Sequence, residues 1–516
     1  MSDKNFYPQQ ALWAQKAEAL SPKMNYREVK PLTQIEWVED PSVWQGIAIR
    51  PTAPAEAAFQ DFFQFRTFRF DFGEHLVGRL EFELEYDRYN DAPVRVIAKF
   101  AETPYEFSRD FSQCQSHLDH SWLQIETKIF DEAPAQVKLE RRYAFRYLEL
   151  KLGSPNYHTR LKSLRVIAET SAGECMPSPV KLSGIDADID RISNITLRDC
   201  MHSVFEDGPK RDRRLWIGDM WQQAKVNGCT FRNYELVERS LYLAASQSYE
   251  DGMIPGSIVL FGKNCHACNR VPTYALLVGP ILHDHYNFYQ RREFCLEMLP
   301  LARRQQELFR EAINPDGTMA PREWWLFIDH DQAWLKPQTA ALCSYVYSLR
   351  ETAELMDKLA VEGADDLRKE ADELSGKLRS RLWDESRKLM RTDGQEGEDS
   401  FSWATQAWMI MAGVPTAEQM QQIWQSARQD KLIRQGRTPF IWGTIAEAGC
   451  KIGQIEDVLE LIRYYWGGMV QHGADTFWEV YRPDEALFTS YSDPVMNSAC
   501  HAWSCLAGYL LRKYVK

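Results

Sequence analysis

Apolar residues recur along this chain with two different periods. Up to about residue 175 they alternate with polar ones: Phe68, Phe70 and Phe72; Leu80, Phe82, Leu84 and Tyr86 between Glu81, Glu83 and Glu85; Val94, Val96 and Ala98; Leu123, Ile125 and Ile129; and Leu148, Leu150 and Leu152. A period of two places one set of side chains on one face of a strand, so each run reads as a half-buried β-strand. Turn residues separate many of the runs, at Gly73, at Asn90-Asp91-Ala92-Pro93 and at Gly153-Ser154-Pro155. The pattern predicts an N-terminal antiparallel β-sandwich over residues 1–180.

The stretch Ser171-Ala172-Gly173-Glu174-Cys175-Met176-Pro177-Ser178-Pro179 is rich in Pro, Ser and Gly and marks a domain boundary. From Ile185 the apolar spacing becomes helical, through Ile189, Ile192 and Ile195. Leu355 and Leu359 begin another such pattern, Leu374, Leu378 and Leu382 carry a third, and Ile455, Val458, Leu459 and Ile462 a fourth. Residues 181–516 therefore read as a helical domain of about a dozen helices of ordinary length. That number fits an (α/α)6 toroid with its site in the loops at one end, although periodicity alone establishes only a helical domain.

Composition narrows the function. A chain of 516 residues accommodates roughly two to four domains. Its 44% hydrophobic and 26% charged residues are those of a globular protein. Seventeen Trp and twenty-two Tyr fill a core and also suit a site for sugars, whose apolar ring faces lie flat on aromatic rings. A net charge of −12 repels a phosphate backbone, which argues against nucleic acid as a partner. No run of ~18 apolar residues exists to span a membrane, and the first twenty residues lack the apolar core of a secretion signal. Eleven scattered cysteines suit reduced thiols better than a disulfide framework. The expectation is a cytoplasmic protein.

Two polar clusters in the helical half could carry acid–base chemistry. The first runs Glu206-Asp207-Gly208-Pro209-Lys210-Arg211-Asp212-Arg213-Arg214-Leu215-Trp216-Ile217-Gly218-Asp219, with four carboxylates and four cations around a Gly-Pro turn. A run of this kind is often only a solvated, salt-bridged loop, but the embedded Trp216 and Gly218 make it less generic. The second is Gly473-Ala474-Asp475-Thr476-Phe477-Trp478-Glu479, followed by Asn497-Ser498-Ala499-Cys500-His501-Ala502-Trp503. A Glu beside Trp in apolar surroundings can have the perturbed pKa that proton transfer uses, or can simply cap a helix. Inverting cleavage of a glycosidic bond needs such a pair, one group to protonate the leaving oxygen and one to activate water, about 6.5–9.5 Å apart.

The helical half resembles glycoside hydrolase family 78, the α-L-rhamnosidases. That family carries a motif close to D-C-P-x-R-D-E-R-x-G-W-x-G-D, and this chain reads D-G-P-K-R-D-R-R-L-W-I-G-D from Asp207 to Asp219. The Gly473–Glu479 cluster resembles the family's G-A-T-T-x-W-E element, and Cys500-His501-Ala502-Trp503 its following C-H-x-W. Further matching features lie between them in the same order, at Asp251–Pro255, Trp325–Asp329, Ser402–Ala407 and Tyr464–Met469. The resemblance covers about residues 185–510. It implies an inverting hydrolase removing terminal α-L-rhamnose from small rhamnosides, with Glu479 as the base on water. Asp207, Arg211 and Asp219 would hold sugar hydroxyls, Trp216 and Trp325 would wall the ring and its 6-methyl group, and His501 would contact the sugar. Asp329 is a further polar contact. A small rhamnoside is the implied partner.

One departure concerns the acid. The first motif is a residue shorter than the family pattern, where the acid is Glu. With the gap just before Asp212, Asp212 takes the acid's place, and Trp216 and Asp219 fall in step. With the gap later, Arg213 takes that place, and a guanidinium cannot donate a proton usefully at neutral pH. The first placement is preferred.

Other signals are weaker. Cys265-His266-Ala267-Cys268 has zinc-like spacing without a second Cys pair, and His283 and His285 are two apart within one helical pattern, facing different directions. No phosphate-binding Gly-rich loop or Gly-x-Ser-x-Gly elbow occurs. No cofactor or metal is implied. Two alternatives stand beside the leading reading: a glycosidase of the same fold with another sugar specificity, and a sugar-binding protein whose acid has decayed. The sandwich offers no catalytic constellation and is expected to support the helical domain or shape the rim of its site. A homodimer is possible on the sequence, which neither requires nor excludes it.

Overall fold

The computed structural model describes residues 6–87, 93–131, 136–153, 158–262, 264–330, 336–393 and 401–515. The expected turns at Asn90-Asp91-Ala92 and Ser154-Pro155 lie outside them. Among the described residues, the alternating half folds into nine antiparallel strands: β1 (Asn25–Val29), β2 (Thr33–Glu39), β3 (Ile47–Pro54), β4 (Phe65–Tyr86), β5 (Val94–Ala101), β6 (Ile125–Phe130), β7 (Gln136–Lys138), β8 (Tyr143–Gly153) and β9 (Thr159–Thr170). They hydrogen-bond into one sheet rather than two, in the path β1-β9-β4-β8-β5-β6. The 22-residue β4 is shared: its first half pairs with β8 and β2, its second with β9 and β7. Phe68, Phe70, Leu80, Phe82, Val96, Leu148, Leu150 and Val166 meet in one buried cluster, as the alternation requires. Ile125 and Ile129 depart from it. They stand on the edge strand β6 and are exposed, at 43% and 58%, because only β5 covers that strand.

The N-terminal helix Gln10–Ala19 does not join the sheet. Trp13 and Ala17 are buried in the core of the helical domain, and Trp13 and Lys16 bond to Glu297 there. The coil after β9 leads into the helix Ile185–Cys200 at the expected boundary.

Among the described residues, six helices pack in cyclic order: Ile217–Cys229, Val278–Tyr289, Gln338–Lys358, Trp403–Ala412, Pro439–Lys451 and Leu506–Tyr514, the last touching the first. The helices that precede each of them in sequence, Ile185–Cys200, Tyr234–Ser246, Arg292–Arg310, Ala364–Leu382, Ala417–Gln429 and Ile455–Gln471, pack against this ring. Leu355 and Leu359 close the helix Gln338–Lys358 rather than begin one, Leu359 being its C-cap. Connections from an inner to the next outer helix are short, at 230–233, 290–291, 359–363, 413–416 and 452–454. Those from outer to inner are long, at 201–216, 247–277, 311–337, 383–402, 430–438 and 472–505. All long connections thus gather at the end where the inner helices begin, and function concentrates in loops held by such a scaffold. Among the described residues, no helix is long and apolar enough to cross a membrane.

Candidate active site

A cavity of about 380 Å³ opens among the long connections. Both polar clusters reach it. The outer helix Ile455–Gln471 stops at His472, where Gly473, at φ +88°, reverses the chain and starts the second cluster. Its two pieces are then zipped together: Glu479 N–H donates to Ser498 O (3.0 Å) and His501 N–H to Phe477 O (2.9 Å). Ala502 N–H donates to Asp207 O at 2.9 Å and stitches in the first cluster. Gly208 permits this approach, since a Cβ there would lie 2.8 Å from Ser498 Oγ. Gly218 likewise makes room for the Tyr274 ring, 2.1 Å from where its Cβ would stand.

The first cluster is not a solvated loop. Glu206, Asp207, Lys210 and Arg211 are all buried. Arg211 reaches between the two candidate carboxylates: Nη1 is 3.4 Å from Asp212 Oδ1, and Nη2 bonds Glu479 Oε2. Its guanidinium lies over the Tyr491 ring, 4.2 Å from the centroid. Glu479 also accepts from Tyr491 OH and from Ser498 N–H (3.2 Å), with His330 Nε2 at 3.7 Å. Burial would push this carboxyl up, but Arg211, His330 and His501 outweigh it and hold it well below the usual carboxylate range. Asp207 goes the other way. Burial and the like charges of Asp212 and Asp219 push it well up, despite the bond from Arg214 N–H (3.0 Å). Burial also raises Asp219, against the pull of His501, whose Nε2 stands 3.1 Å from its Oδ1.

Asp212 and Arg213 both have left-handed backbones, at φ 63° and 51°. Asp tolerates this region better than Arg, and two such residues in succession are a local strain. The result is a tight turn that sends the two side chains apart. The Asp212 carboxylate lines the cavity with a side chain 20% exposed. The Arg213 guanidinium turns to the sheet domain and donates to Arg142 O at 2.8 Å.

Of the residues expected at the site, the structure brings Asp207, Arg211, Asp212, Trp216, Asp219, Trp325, Glu479 and His501 to this one cavity. Arg211 is spent on carboxylates and on Met496 O (3.1 Å) rather than left free for hydroxyls. Asp329 does not line the cavity. Its carboxylate accepts from Arg437 N–H (2.8 Å) and Thr438 Oγ1 (2.7 Å), at the start of the helix Pro439–Lys451. Trp216 and Trp325 meet edge to face, centroids 5.8 Å apart, and Phe327, Trp503, His330 and Tyr491 continue the aromatic wall. Sequence reasoning did not assign Tyr274, Phe327, His330, Tyr491 or Trp503. Trp503 lay inside a quoted motif, whereas Tyr491 sits in a loop with no pattern to draw attention to it. Leu118 and Trp122 reach the cavity from the β5–β6 connection of the sheet domain, which thus contributes to its lining. The Cys265–Cys268 run lies on a hairpin strand, Asn264–Cys268, paired with Ser257–Phe261. His283 and His285 bond to different carboxylates, Glu351 and Glu238.

Comparison with known proteins matches residues 31–168 to the family model of the glycosyl hydrolase family 78 alpha-rhamnosidase N-terminal domain. Residues 186–515 match that of the bacterial alpha-L-rhamnosidase 6 hairpin glycosidase domain. No curated protein matches in sequence. Among solved structures, a rhamnosidase from Klebsiella oxytoca with rhamnose bound is 32% identical, with a TM-score of 0.92 over 98% of each chain. A family 78 rhamnosidase of Bacillus sp. GL1 shares the fold at 23% identity and TM-score 0.74, over 90% of this chain and 49% of its own. The α-L-rhamnosidase of Streptomyces avermitilis complexed with L-rhamnose does so at 15% and 0.66, over 95% and 44%.

Proposed function

The chain belongs to glycoside hydrolase family 78 as an α-L-rhamnosidase, and from that premise we propose that it removes terminal α-L-rhamnose from small rhamnosides with inversion. Its helical domain is read as an (α/α)6 toroid, on the cyclic packing of the six inner helices. Asp212 is the general acid and Glu479 the general base. The observation that carries this assignment is the Arg211 guanidinium, which has Asp212 at one terminal nitrogen and Glu479 at the other. One planar group between them holds the carboxylates at most roughly 8 Å apart, an upper limit that admits the spacing of an inverting pair.

The electrostatics suit these roles. Glu479 is held ionised, and an ionised carboxylate can accept a proton from water. Asp212 is the more exposed of the two, at 20% against 3%, and stands nearer the mouth through which a leaving group departs. In the reaction Glu479 takes a proton from water as its oxygen attacks the anomeric carbon. The glycosidic bond breaks with its electron pair on the leaving oxygen, which Asp212 protonates. The products are β-L-rhamnose and the free alcohol. Asp207, Asp219 and His501 are the groups for the sugar hydroxyls, and Trp216 and Trp325 wall its apolar faces.

A proton NMR time course on 4-nitrophenyl α-L-rhamnoside tests the reading. The β anomer should accumulate first, before mutarotation. Initial release of the α anomer would sink inversion, and turnover of another nitrophenyl glycoside with none of the rhamnoside would sink the sugar assignment.

A further inference from the structure

The sheet domain buries three titratable side chains against the helical domain, His75, Glu102 and Glu106, each at most 3% exposed. Glu102 directly follows β5. Its Oε2 accepts Ala499 N–H at 2.7 Å and lies 4.0 Å from Lys210 Nζ, while its Oε1 is 3.1 Å from His75 Nε2. Glu106 accepts the Glu102 N–H at 2.9 Å and pairs with Lys210 at 2.7 Å. Lys210, 1% exposed, donates its remaining bonds to Val495 O (2.8 Å) and Asn497 O (3.0 Å).

The neighbours of these contacts matter. Ala499 follows Ser498, whose N–H donates to Glu479. Lys210 precedes Arg211, whose guanidinium bonds the same carboxylate. Both loops that hold Glu479 are therefore fastened to one pair of sheet-domain carboxylates, a single residue from where they grip it. Burying such charges costs more than apolar packing would, and what they supply in return is a fixed geometry.

We propose that Glu102 is a positioning residue for Glu479, tethering through Ala499 and Lys210 the two loops that aim its carboxylate and keep it ionised. The proposal rests on the reading of Glu479 as the base. His75 completes the arrangement, with Nδ1 2.8 Å from Asp199 Oδ2.

The test is the pH dependence of kcat and KM for Glu102→Ala and Glu102→Gln on 4-nitrophenyl α-L-rhamnoside, beside Glu479→Gln, with thermal melting of each. Losing the Ala499 tether frees Ser498 N–H from Glu479. Glu102→Ala should lower kcat about tenfold, leave KM within about twofold, and move the acidic limb of kcat/KM up by about one pH unit. Glu102→Gln, whose amide oxygen still accepts Ala499 N–H, should recover part of both changes. A purely structural role would lower the melting temperature and the yield of active enzyme without moving the limb. If Glu102→Ala does not fold, Glu102→Gln carries the test with a smaller shift. An unmoved limb in a folded variant, with Glu479→Gln inactive, overturns the proposal alone. A wild-type rate for Glu479→Gln overturns the base assignment instead.

Discussion

The two ends of the helical domain bury the same kinds of group and use them differently. At the long-connection end, Asp207, Asp212 and Glu479 stand on loops around a cavity, with Asp219 in the first turn of an inner helix. Towards the C-terminal ends of the inner helices, Asp284, Glu351 and Glu447 stand on three of them. There Lys225 Nζ lies 2.6 Å from Glu447 and 3.9 Å from Asp284, and His283 Nδ1 lies 2.6 Å from Glu351. Groups on helices are fixed by the helix's own hydrogen bonds, and Glu447 and Glu351 each meet a cation or a histidine on a facing turn. Groups on loops are fixed only by tertiary bonds, and here two carboxylates share one guanidinium. Burial and the like charges of Asp212 and Asp219 push Asp207 up, while Arg211 pulls Glu479 down against its burial. Opposite protonation preferences thus stand side by side in one cavity, Asp207 against Glu479.

The largest effect should come from Glu479→Gln. It removes the proposed base while keeping its shape, so kcat should fall by about 10²–10⁴-fold with every leaving group and KM should change little. Steady-state rates on 4-nitrophenyl and alkyl rhamnosides check this, and a wild-type rate on either would remove Glu479 from the mechanism. Asp212→Asn should separate the two carboxylates. Loss of the acid should cost about 10²–10⁴-fold on an alkyl or sugar leaving group, and far less on 4-nitrophenolate, which departs without a proton. Equal losses on both substrates would mean that Asp212 does not protonate the leaving oxygen.

A smaller effect is expected at Tyr491, whose hydroxyl donates to Glu479. Tyr491→Phe removes one bond to the charged form, so the base pKa rises. Activity present only when Glu479 is ionised is then lost at higher pH than in the wild type. The acidic limb of kcat/KM should move up by about one unit, with less than about tenfold loss near neutral pH. A limb that stays in place would show that Arg211, His330 and His501 keep Glu479 ionised without the Tyr491 bond.

The same contrast between helix and loop explains what the sequence disclosed. The period-two runs at Phe68–Phe72 and Leu80–Leu84 and the helical spacing at Leu374–Leu382 became buried faces, because alternation and helical repeat are direct consequences of backbone geometry. The same rule failed at Ile125 and Ile129, since it cannot say which strand will be an edge. Glu479 and His501 were legible through contiguous motifs. The left-handed turn that separates Asp212 from Arg213 was not, because it depends on contacts with Arg142 in the other domain. Tyr491 and Glu102 act through bonds to residues far away in sequence, and no local pattern records such a partner. Asp329 matched a motif yet serves the start of a helix, for a polar residue in a loop has no preferred user until the chain is folded.

The smallest effect should come from the opposite end of the helices and leave turnover untouched. Asp284 is pushed up to about 6, by burial first and then by Glu351 and Glu447, against the pull of Lys225. A carboxyl whose folded pKa is raised binds its proton more tightly in the native state than in the unfolded chain. Between about pH 4 and 6 the native state thus holds more protons, so this group's contribution to stability falls as pH rises and then stays level. Asp284→Asn abolishes that fall. The melting temperature of the variant relative to wild type should rise by about 1–3 °C between pH 5 and 7.5, whatever its offset at pH 5. Its kcat should remain within about twofold of wild type, since no residue of this cluster lines the cavity. A melting difference constant across that range would show that Lys225 compensates Asp284 fully. A large loss of kcat would show that the two ends are coupled, and that charges on helices and charges on loops are not put to separate uses.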